Sequence, residues 1–390
     1  MTSHRQNWLD VFSGFRIAFD ARKIILGTVG MLVSTLVVLG LLHLAGSWYP
    51  RAQATGALLL RDPLIYVRLF SDELHQADTL FQKRLLLANT LRDIRIFVVN
   101  LDGRCIALVA AGAVILLFIW SYIGGAMARL AAVDFAREER LPVGDATTFS
   151  ARKFGSFFWC PLVPLIFAAI LIFCIILLGW IGRIPAVGPI LLGVGYPLGA
   201  VAAFFVLLLL IGALLGFPFM WPTIAMEGTD AFDAISRAFS YLFSHPWKTL
   251  WCWFMASVYG IVVIGFAAWF TGALLRLTDA AVARGMGENW IWIEQFLRDG
   301  IADRAAGFPL LIAMVLITVV HVLAWGLVFG FIASYKISVM TIIYAILRRT
   351  ADGADMSEVF LPEVEVPLSA GPVMTDADES APDEGPKPSE

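Results

Sequence analysis

Six long apolar runs constrain this 390-residue chain more than any other feature of its sequence. A helix needs about 20 apolar residues to cross the hydrocarbon core of a bilayer, and each run reaches that length. The chain is also 59% hydrophobic and 15% charged, whereas soluble domains are about 45–50% apolar and about 25% charged. The sequence therefore predicts an all-α polytopic transmembrane bundle over residues 1–350, with spans near residues 24–46, 105–128, 156–181, 198–222, 249–275 and 308–333.

Two of the runs are longer than one crossing requires. The sixth stays apolar to about residue 347, and we expect Lys336 to mark the place where it leaves the membrane. The fourth opens with "IPAVGPILLGVGYPLG" (residues 184–199), which is rich in Pro and Gly. Broken backbone is tolerated in a membrane where protein covers it. A short re-entrant piece before the fourth span, or a seventh crossing, is therefore an alternative.

The segments outside the runs are polar. Residues 351–390 are acidic and rich in Pro, and such a composition cannot bury enough apolar surface to fold. We expect a disordered tail, with docking to a basic partner as the alternative. Residues 57–103 predict two amphipathic helices on the outer side. Asp72, His75 and Asp78 share one face there; that spacing could bind a metal but is more typical of a solvated helix face.

Charge near the span ends sets the expected orientation. Lys and Arg are modestly more numerous near the span ends on the side of the N-terminus, and such residues favour the cytoplasmic side. We therefore expect a multi-pass protein with both termini on the cytoplasmic side of the membrane.

The stretch "EGTDAFDAISRAFSYLFSHPWK" (residues 227–248) predicts an amphipathic helix between two spans. The helical period gathers its large apolar residues on one face: Phe232, Ile235, Phe239, Leu242 and Phe243. The opposite face carries Asp233, Ser236, Arg237, Ser240 and Ser244. We expect Gly228 or Thr229 to cap this helix and Pro246 to end it. Three turns cannot cross a bilayer, so the helix is predicted to lie in the interface with its apolar face in lipid.

Similar segments precede two other spans. Residues 8–23 combine an apolar face with an Asp-x-x-Ser/Thr tetrapeptide, as the 227–248 stretch does at residues 233–236. Residues 144–158 carry the same tetrapeptide, but their apolar and polar faces are poorly separated. Three repeats of interfacial helix, outward span and inward span are one interpretation. Three unrelated amphipathic connectors are the other.

The 227–248 stretch also resembles a segment of a group of uncharacterised bacterial polytopic membrane proteins. Those proteins carry a Glu-Gly-x-Asp-Ala-Phe-Asp-Ala-x-Ser-Arg helix followed by a Pro-Trp step into the next span. The matching positions here are Glu227, Gly228, Asp230, Ala231, Phe232, Asp233, Ala234, Ser236, Arg237, Pro246 and Trp247. The resemblance implies a six-span layout, and it implies no activity.

Few ionisable residues lie within the apolar runs, where they would be pointers to function. His321 lies inside the sixth run and could join a proton or ion path; hydrogen bonding to a neighbouring helix is the plainer interpretation. No Asp or Glu falls within the six predicted spans, which argues against a proton-driven transporter.

Small-residue spacings within the spans predict close helix packing. Three Gly-x-x-x-Gly pairs occur, and such pairs let helix backbones approach in lipid, within one chain or across a dimer. They are Gly195 with Gly199, Gly212 with Gly216, and Gly326 with Gly330.

The sequence names no reaction. It contains no Walker loop, dinucleotide fingerprint, G-x-S-x-G, H-E-x-x-H or C-x-x-C motif. We expect no catalytic site, no cofactor and no metal, and no nucleic-acid partner. The leading hypothesis is a non-enzymatic membrane scaffold or assembly component of bacterial inner-membrane type. Through its interfacial helices it would act on the lipid bilayer, on further copies of itself or on other membrane proteins. The alternative is a transporter or channel for a neutral or lipidic solute.

Overall fold

A computed structural model describes residues 8–46, 103–299 and 308–360 of the chain. These residues form helices joined by short connections, and no strand occurs among them. After a 3-10 turn, Trp8–Phe12, the helices in chain order are α1 Ser13–Ala18, α2 Ala21–Gly46, α3 Gly103–Arg137, α4 Val143–Arg152, α5 Phe154–Ile181, α6 Gly188–Glu227, α7 Ala231–Ser244, α8 Pro246–Met286, α9 Asn289–Asp299 and α10 Phe308–Asp352.

Six of these helices are long and apolar enough to cross a membrane: α2, α3, α5, α6, α8 and α10. The predicted all-α polytopic bundle is therefore confirmed, and the protein is a multi-pass membrane protein. Several of the six run well beyond the predicted spans. The 45 residues of α10 make a rod of about 68 Å, which is more than twice the thickness of a hydrocarbon core of about 30 Å.

The fourth span contains no re-entrant break. Helix α6 is continuous over 40 residues, and Pro197, Pro218 and Pro222 all lie inside it. Pro189 falls in the first turn, where the backbone N–H has no helical partner to lose. Proline inside membrane helices is tolerated because neighbouring groups satisfy the freed carbonyls. The alternative of a re-entrant piece before the fourth span is therefore wrong.

Packing is concentrated at one end of the bundle, the end that carries α1, α4 and α7. We call it the short-helix end. The buried residues of α6 lie almost entirely between Gly212 and Met226, and those of α10 mainly between Gly326 and Leu347. The opposite halves of both helices expose apolar side chains on most of their surface. Since lipid tails are as apolar as Leu, those halves need no protein cover, and the tightly packed core lies at the short-helix end.

Each pair of long helices is preceded by a short helical segment, as the repeat interpretation predicts for the order of elements. The Asp-x-x-Ser/Thr tetrapeptides, however, make different contacts. Ser13 donates to the Asp10 carbonyl at 2.6 Å, whereas Thr148 donates to the Gly144 carbonyl at 2.8 Å. The segments therefore share their order in the chain, but their tetrapeptides do not share the same hydrogen bonds.

The N-terminal segment packs within the bundle. The predicted amphipathic segment over residues 8–23 is interrupted at Phe19 and Asp20, between α1 and α2. The Phe15 ring meets the edges of Tyr259 of α8 and Phe331 of α10, with centroids 6.4 and 6.3 Å away. Much of the face predicted to enter lipid therefore rests on protein.

The folded region also extends past the predicted start of the acidic tail at residue 351. Met356 is buried in the main core, and Glu358 pairs with Arg348 of α10. These contacts place residues 351–359 with the bundle. Residues 361–390 and the predicted outer segment 57–103 lie outside the described residues.

Candidate functional site

Glu227 ends α6 at the centre of the short-helix end. Its side chain is only 7% exposed. The next residue, Gly228, adopts φ 66°, and this left-handed conformation lets the chain reverse into α7. Glycine reaches that region without the steric penalty of a side chain. The Glu-Gly step of the 227–248 stretch is thus the turn that brings the carboxylate under α7.

Three side chains from two other helices converge on this carboxylate. Arg237 of α7 pairs with one Glu227 oxygen at 2.5 Å. Arg348 of α10 pairs with the other at 3.3 Å, and the Tyr344 hydroxyl of α10 donates to the same oxygen. A buried carboxylate is tolerated only when charged and polar partners replace its hydration. The Glu227 cluster therefore ties together α6, α7 and α10.

A second layer of contacts holds those partners in place. Arg237 also bonds Asp233 one turn earlier, at 3.0 Å. The Tyr241 hydroxyl of α7 donates to Asp352 at the end of α10, and Arg348 donates to the Glu358 carbonyl at 3.0 Å. Arg237 and Arg348 thus each contact two acidic residues, and these contacts hold each guanidinium in place from two sides.

Two side chains of α7, Tyr241 and Arg237, keep one protonation state near neutral pH. Burial, the hydrogen bond to Asp352 and the charge of Glu227 raise the pKa of Tyr241 to about 12. Burial lowers the pKa of Arg237, but the hydrogen bond to Asp233 and the charges of Glu227 and Asp233 outweigh it and raise that pKa above its usual value. Neither group exchanges protons near pH 7, so the arrangement suits a structural brace better than acid–base chemistry.

Arg129 of α3 extends the brace to the other side of α6. It is almost fully buried and donates to the Ala225 carbonyl at 2.8 Å, in the last turn before Glu227. Its guanidinium also lies 4.4 Å from the centroid of the Phe149 ring of α4, within the range of a cation–π contact. One arginine therefore links α3, α4 and α6.

A separate ion-pair group joins α2 to α3. The Lys23 side chain, 1% exposed, pairs with Asp134 at 2.8 Å. Arg22 pairs with Asp20 and donates to the Leu141 carbonyl ahead of α4, both at 2.5 Å. An open cavity of about 500 Å³ lies beside this group, with Arg16, Glu138 and Arg140 among its lining residues.

His321 meets a carboxylate in the structure. Its Nε2 lies 3.2 Å from an Asp279 oxygen of α8, and its Nδ1 lies 2.9 Å from the Ile317 carbonyl. His321 is about 20 Å along α10 from Phe308, and both His321 and Asp279 lie in helices long and apolar enough to cross a membrane. The contact agrees with the interpretation that His321 bonds to a neighbouring helix. Asp279 lies outside the predicted fifth span, which ended at residue 275, because α8 continues to Met286.

The predicted apolar face of the 232–244 helix is only partly correct. The buried residues of α7 include Ala231, Ala234, Ala238, Tyr241 and Leu242. Ile235 and Phe239 pack against the core, whereas Phe232 is 65% exposed and Phe243 is 51% exposed. Small alanines let α7 approach the bundle closely, so its protein-facing side is rotated from the face that residue size suggests.

The cap of this helix also differs from the prediction. Asp230, and not Gly228 or Thr229, is the N-cap, and its side chain accepts the Asp233 backbone N–H at 3.0 Å. Asp is a preferred N-cap residue because its carboxylate satisfies a free N–H of the first turn.

The glycine pairs all contact other helices of the same chain. A Cβ at Gly195 would lie 2.6 Å from Leu178 of α5, and one at Gly199 would lie 3.2 Å from the same residue. Gly212 and Gly216 face the Phe239 ring of α7. A further pair, Gly326 and Gly330, lies against α2 at Thr28. The structure thus accounts for these glycines by packing within one chain.

Several residues of these clusters were not singled out from the sequence. The sequence analysis counted three of them, Arg129, Lys23 and Arg348, only as positive charges near span ends. No motif or spacing in the sequence indicated a role for Asp134. The residues within the described ranges contain no group of three or more His, Cys, Asp or Glu that could hold a metal ion. Asp72, His75 and Asp78 lie outside those ranges.

No protein-family model matches this chain, and no curated protein or solved structure matches it either. The resemblance of the 227–248 stretch therefore stays a prediction. The fold defines the class of the protein, an all-α multi-pass membrane protein.

Proposed function

We propose that the protein is a non-enzymatic scaffold or assembly component of the bacterial inner membrane, with its short-helix end and both termini on the cytoplasmic side. The Glu227 cluster carries this proposal. Its charged groups bind one another across three helices, as a structural brace requires.

Helix α7, which the Glu227 cluster ties to α6 and α10, ends beside a set of exposed aromatic side chains. The chain leaves α7 for α8 through Pro246, and Phe243, Trp247 and Trp251 follow one another at four-residue spacing along this corner. Trp247 is 83% exposed and Phe243 is 51% exposed. We call these three residues the aromatic edge. Tryptophan rings favour the headgroup level of a bilayer, so we propose that the edge lies at the cytoplasmic headgroup layer and meets the membrane helices of partner proteins there.

The test compares two double variants in α7 and α8. Phe243→Ser with Trp247→Ser removes two side chains of the aromatic edge. The control, Ile261→Ser with Leu277→Ser, changes two apolar side chains further along α8 that are each 73% exposed. Membrane proteins that co-purify with the wild-type chain in mild detergent are quantified for each variant. A retained protein is then purified and reconstituted with the chain in vesicles.

A scaffold predicts that the edge variant loses a defined partner at least several-fold while the control keeps it, and that the purified pair re-forms the complex. Unchanged thermal unfolding of the edge variant shows that the fold is intact. A wild-type chain that forms no complex with any purified candidate contradicts the proposal.

The His321–Asp279 contact favours a transporter or channel as the second candidate function. Paired ionisable groups inside a membrane are typical of proton and ion pathways. The purified chain in vesicles with an internal pH dye separates the two functions. Proton flux above that of protein-free vesicles, abolished by His321→Gln and by Asp279→Asn, favours transport, and the scaffold predicts no such flux.

A further inference from the structure

An apolar groove of about 640 Å³ lies between the start of α5 and the start of α7. One wall is a stripe of α5 residues about four positions apart, which places them on one helix face. The other wall is the first turn of α7. The residues that define the two walls are Gly155, Trp159, Val163 and Phe167 of α5, with Asp230 and Phe232 at α7.

The depth of the groove matches one leaflet of a bilayer. From Gly155 to Phe167, α5 rises about 18 Å. One leaflet of the hydrocarbon core is about 15 Å deep. The groove therefore begins at the short-helix end and follows α5 over the length that a single acyl chain occupies.

One negative charge lines the groove, and two positive charges lie next to it along the chain. Asp230 is exposed, and the cap contact to Asp233 uses only one of its oxygens. Arg152 and Lys153 lie immediately before α5, with Lys153 two residues from Gly155. In the part of the chain that the structure describes, neither cation has an ion-pair partner, whereas Arg22, Lys23 and Arg237 at the same end are paired.

We propose that this groove is a binding site for one phospholipid whose headgroup carries both a phosphate and a primary ammonium, as in phosphatidylethanolamine. The acyl chain lies along Trp159, Val163 and Phe167, the phosphate meets Lys153, and the ammonium meets Asp230. An anionic headgroup without the amine leaves Asp230 facing negative charge and binds less well. This site is independent of the aromatic edge and of the scaffold role.

Two glycines of α5 provide a matched pair of variants. A Cβ at Gly155 or at Gly179 would meet nothing within 4 Å, so both accept a side chain without a clash. Gly155→Leu fills the groove, and Gly179→Leu adds the same side chain near the far end of the same helix. Asp230→Asn removes the charge but keeps the cap, because Asn caps a helix as well as Asp does. Lys153→Gln removes the proposed phosphate contact.

The experiment is native mass spectrometry of the full chain released from vesicles of phosphatidylethanolamine and phosphatidylglycerol in equal amounts. The wild type and Gly179→Leu are expected to retain one phosphatidylethanolamine, and Gly155→Leu to retain none. Loss of one charge-assisted hydrogen bond should lower the preference for phosphatidylethanolamine by about fivefold or more in Asp230→Asn. Lys153→Gln should weaken retention of both lipids.

Equal retention of the two lipids by the wild type overturns the proposal, since it indicates only the surrounding annular lipid. Retention by Gly155→Leu at the wild-type level overturns it as well. Should Gly155→Leu fail to fold, the lipid preference of Asp230→Asn decides, and an unchanged preference in that variant rejects the site.

Discussion

At Glu227, one carboxylate satisfies two arginines and a tyrosine that come from two other helices. Breaking one partner out of a buried ion-pair group is strongly destabilising, because the remaining charges stay desolvated. The peripheral pair between Arg237 and Asp233 is about 40% exposed on both sides, so solvent screens it. The two acidic residues that Arg237 contacts should therefore differ greatly in their contribution to stability.

Glu227→Gln keeps the size of the side chain and removes its charge, which leaves Arg237 and Arg348 without their buried counter-ion. We expect the free energy of unfolding to fall by about 3 kcal/mol, measured by denaturant titration in mild detergent. Asp233→Asn is the control, and we expect it to change stability by less than about 1 kcal/mol. Similar losses in the two variants would contradict the brace.

Asp20 makes the stability pH-dependent on the acid side. Burial alone would raise the pKa of Asp20, but hydrogen bonds from Arg22 and the charges of Arg22 and Lys23 hold it below the usual 3.8. A depressed carboxyl pKa stabilises the fold above about pH 4, and this stabilisation is lost as the pH falls through the lowered value. We expect the stability gap between wild type and Asp20→Asn to shrink from pH 5 to pH 3. A gap that stays constant over that range would show that the charge of Asp20 does not contribute.

At the scale of elements, α2 and α10 approach each other more closely than side chains allow. A Cβ at Gly330 would lie 2.5 Å from the Ile24 carbonyl oxygen and 2.7 Å from the Thr28 backbone N. Backbone cannot move aside as a flexible side chain can. Helices in lipid gain their association from such close packing, so this contact holds the first and last spans together.

Gly330→Ala should therefore separate α2 from α10 and lower the free energy of unfolding by about 1–3 kcal/mol. Gly193→Ala in α6 is the matched control, because a Cβ there meets open space. The control should be neutral or stabilising by up to about 1 kcal/mol, since Ala is a better helix former than Gly. Thermal unfolding in the same detergent measures both, and equal unfolding temperatures would contradict the close approach.

At the scale of the whole molecule, six long helices place the connections alternately at the two ends of the bundle. The contacts among Glu227, Arg348 and Glu358 bring the end of α6, the start of α7 and the end of α10 to one end. The turn at Arg183 between α5 and α6 lies at the opposite end. These positions distinguish the two ends of the bundle, which would face opposite sides of a membrane.

Cysteines introduced one at a time test this topology, with the buried Cys160 and Cys252 left in place. In a background with Cys105 and Cys174 changed to Ser, we expect Ser236→Cys and Glu358→Cys to react with an impermeant thiol reagent from the cytoplasmic side only. Arg183→Cys should react only from the other side. Labelling of Ser236→Cys and Arg183→Cys from the same side would contradict the six-span arrangement.

The sequence by itself determined the six spans and the existence of a helix after Gly228, because apolar length and helical period are local properties of the chain. The tertiary structure decided which side of that helix is buried, since Ala231, Ala234 and Ala238 permit a closer approach than Phe232 does. It also decided the partners of Glu227 and His321, since Arg348 and Asp279 are distant in sequence and meet them only in the folded bundle. Hydropathy averages over a window and treats lipid and protein as the same apolar surroundings, so it predicts which segments leave water but not which side chains meet.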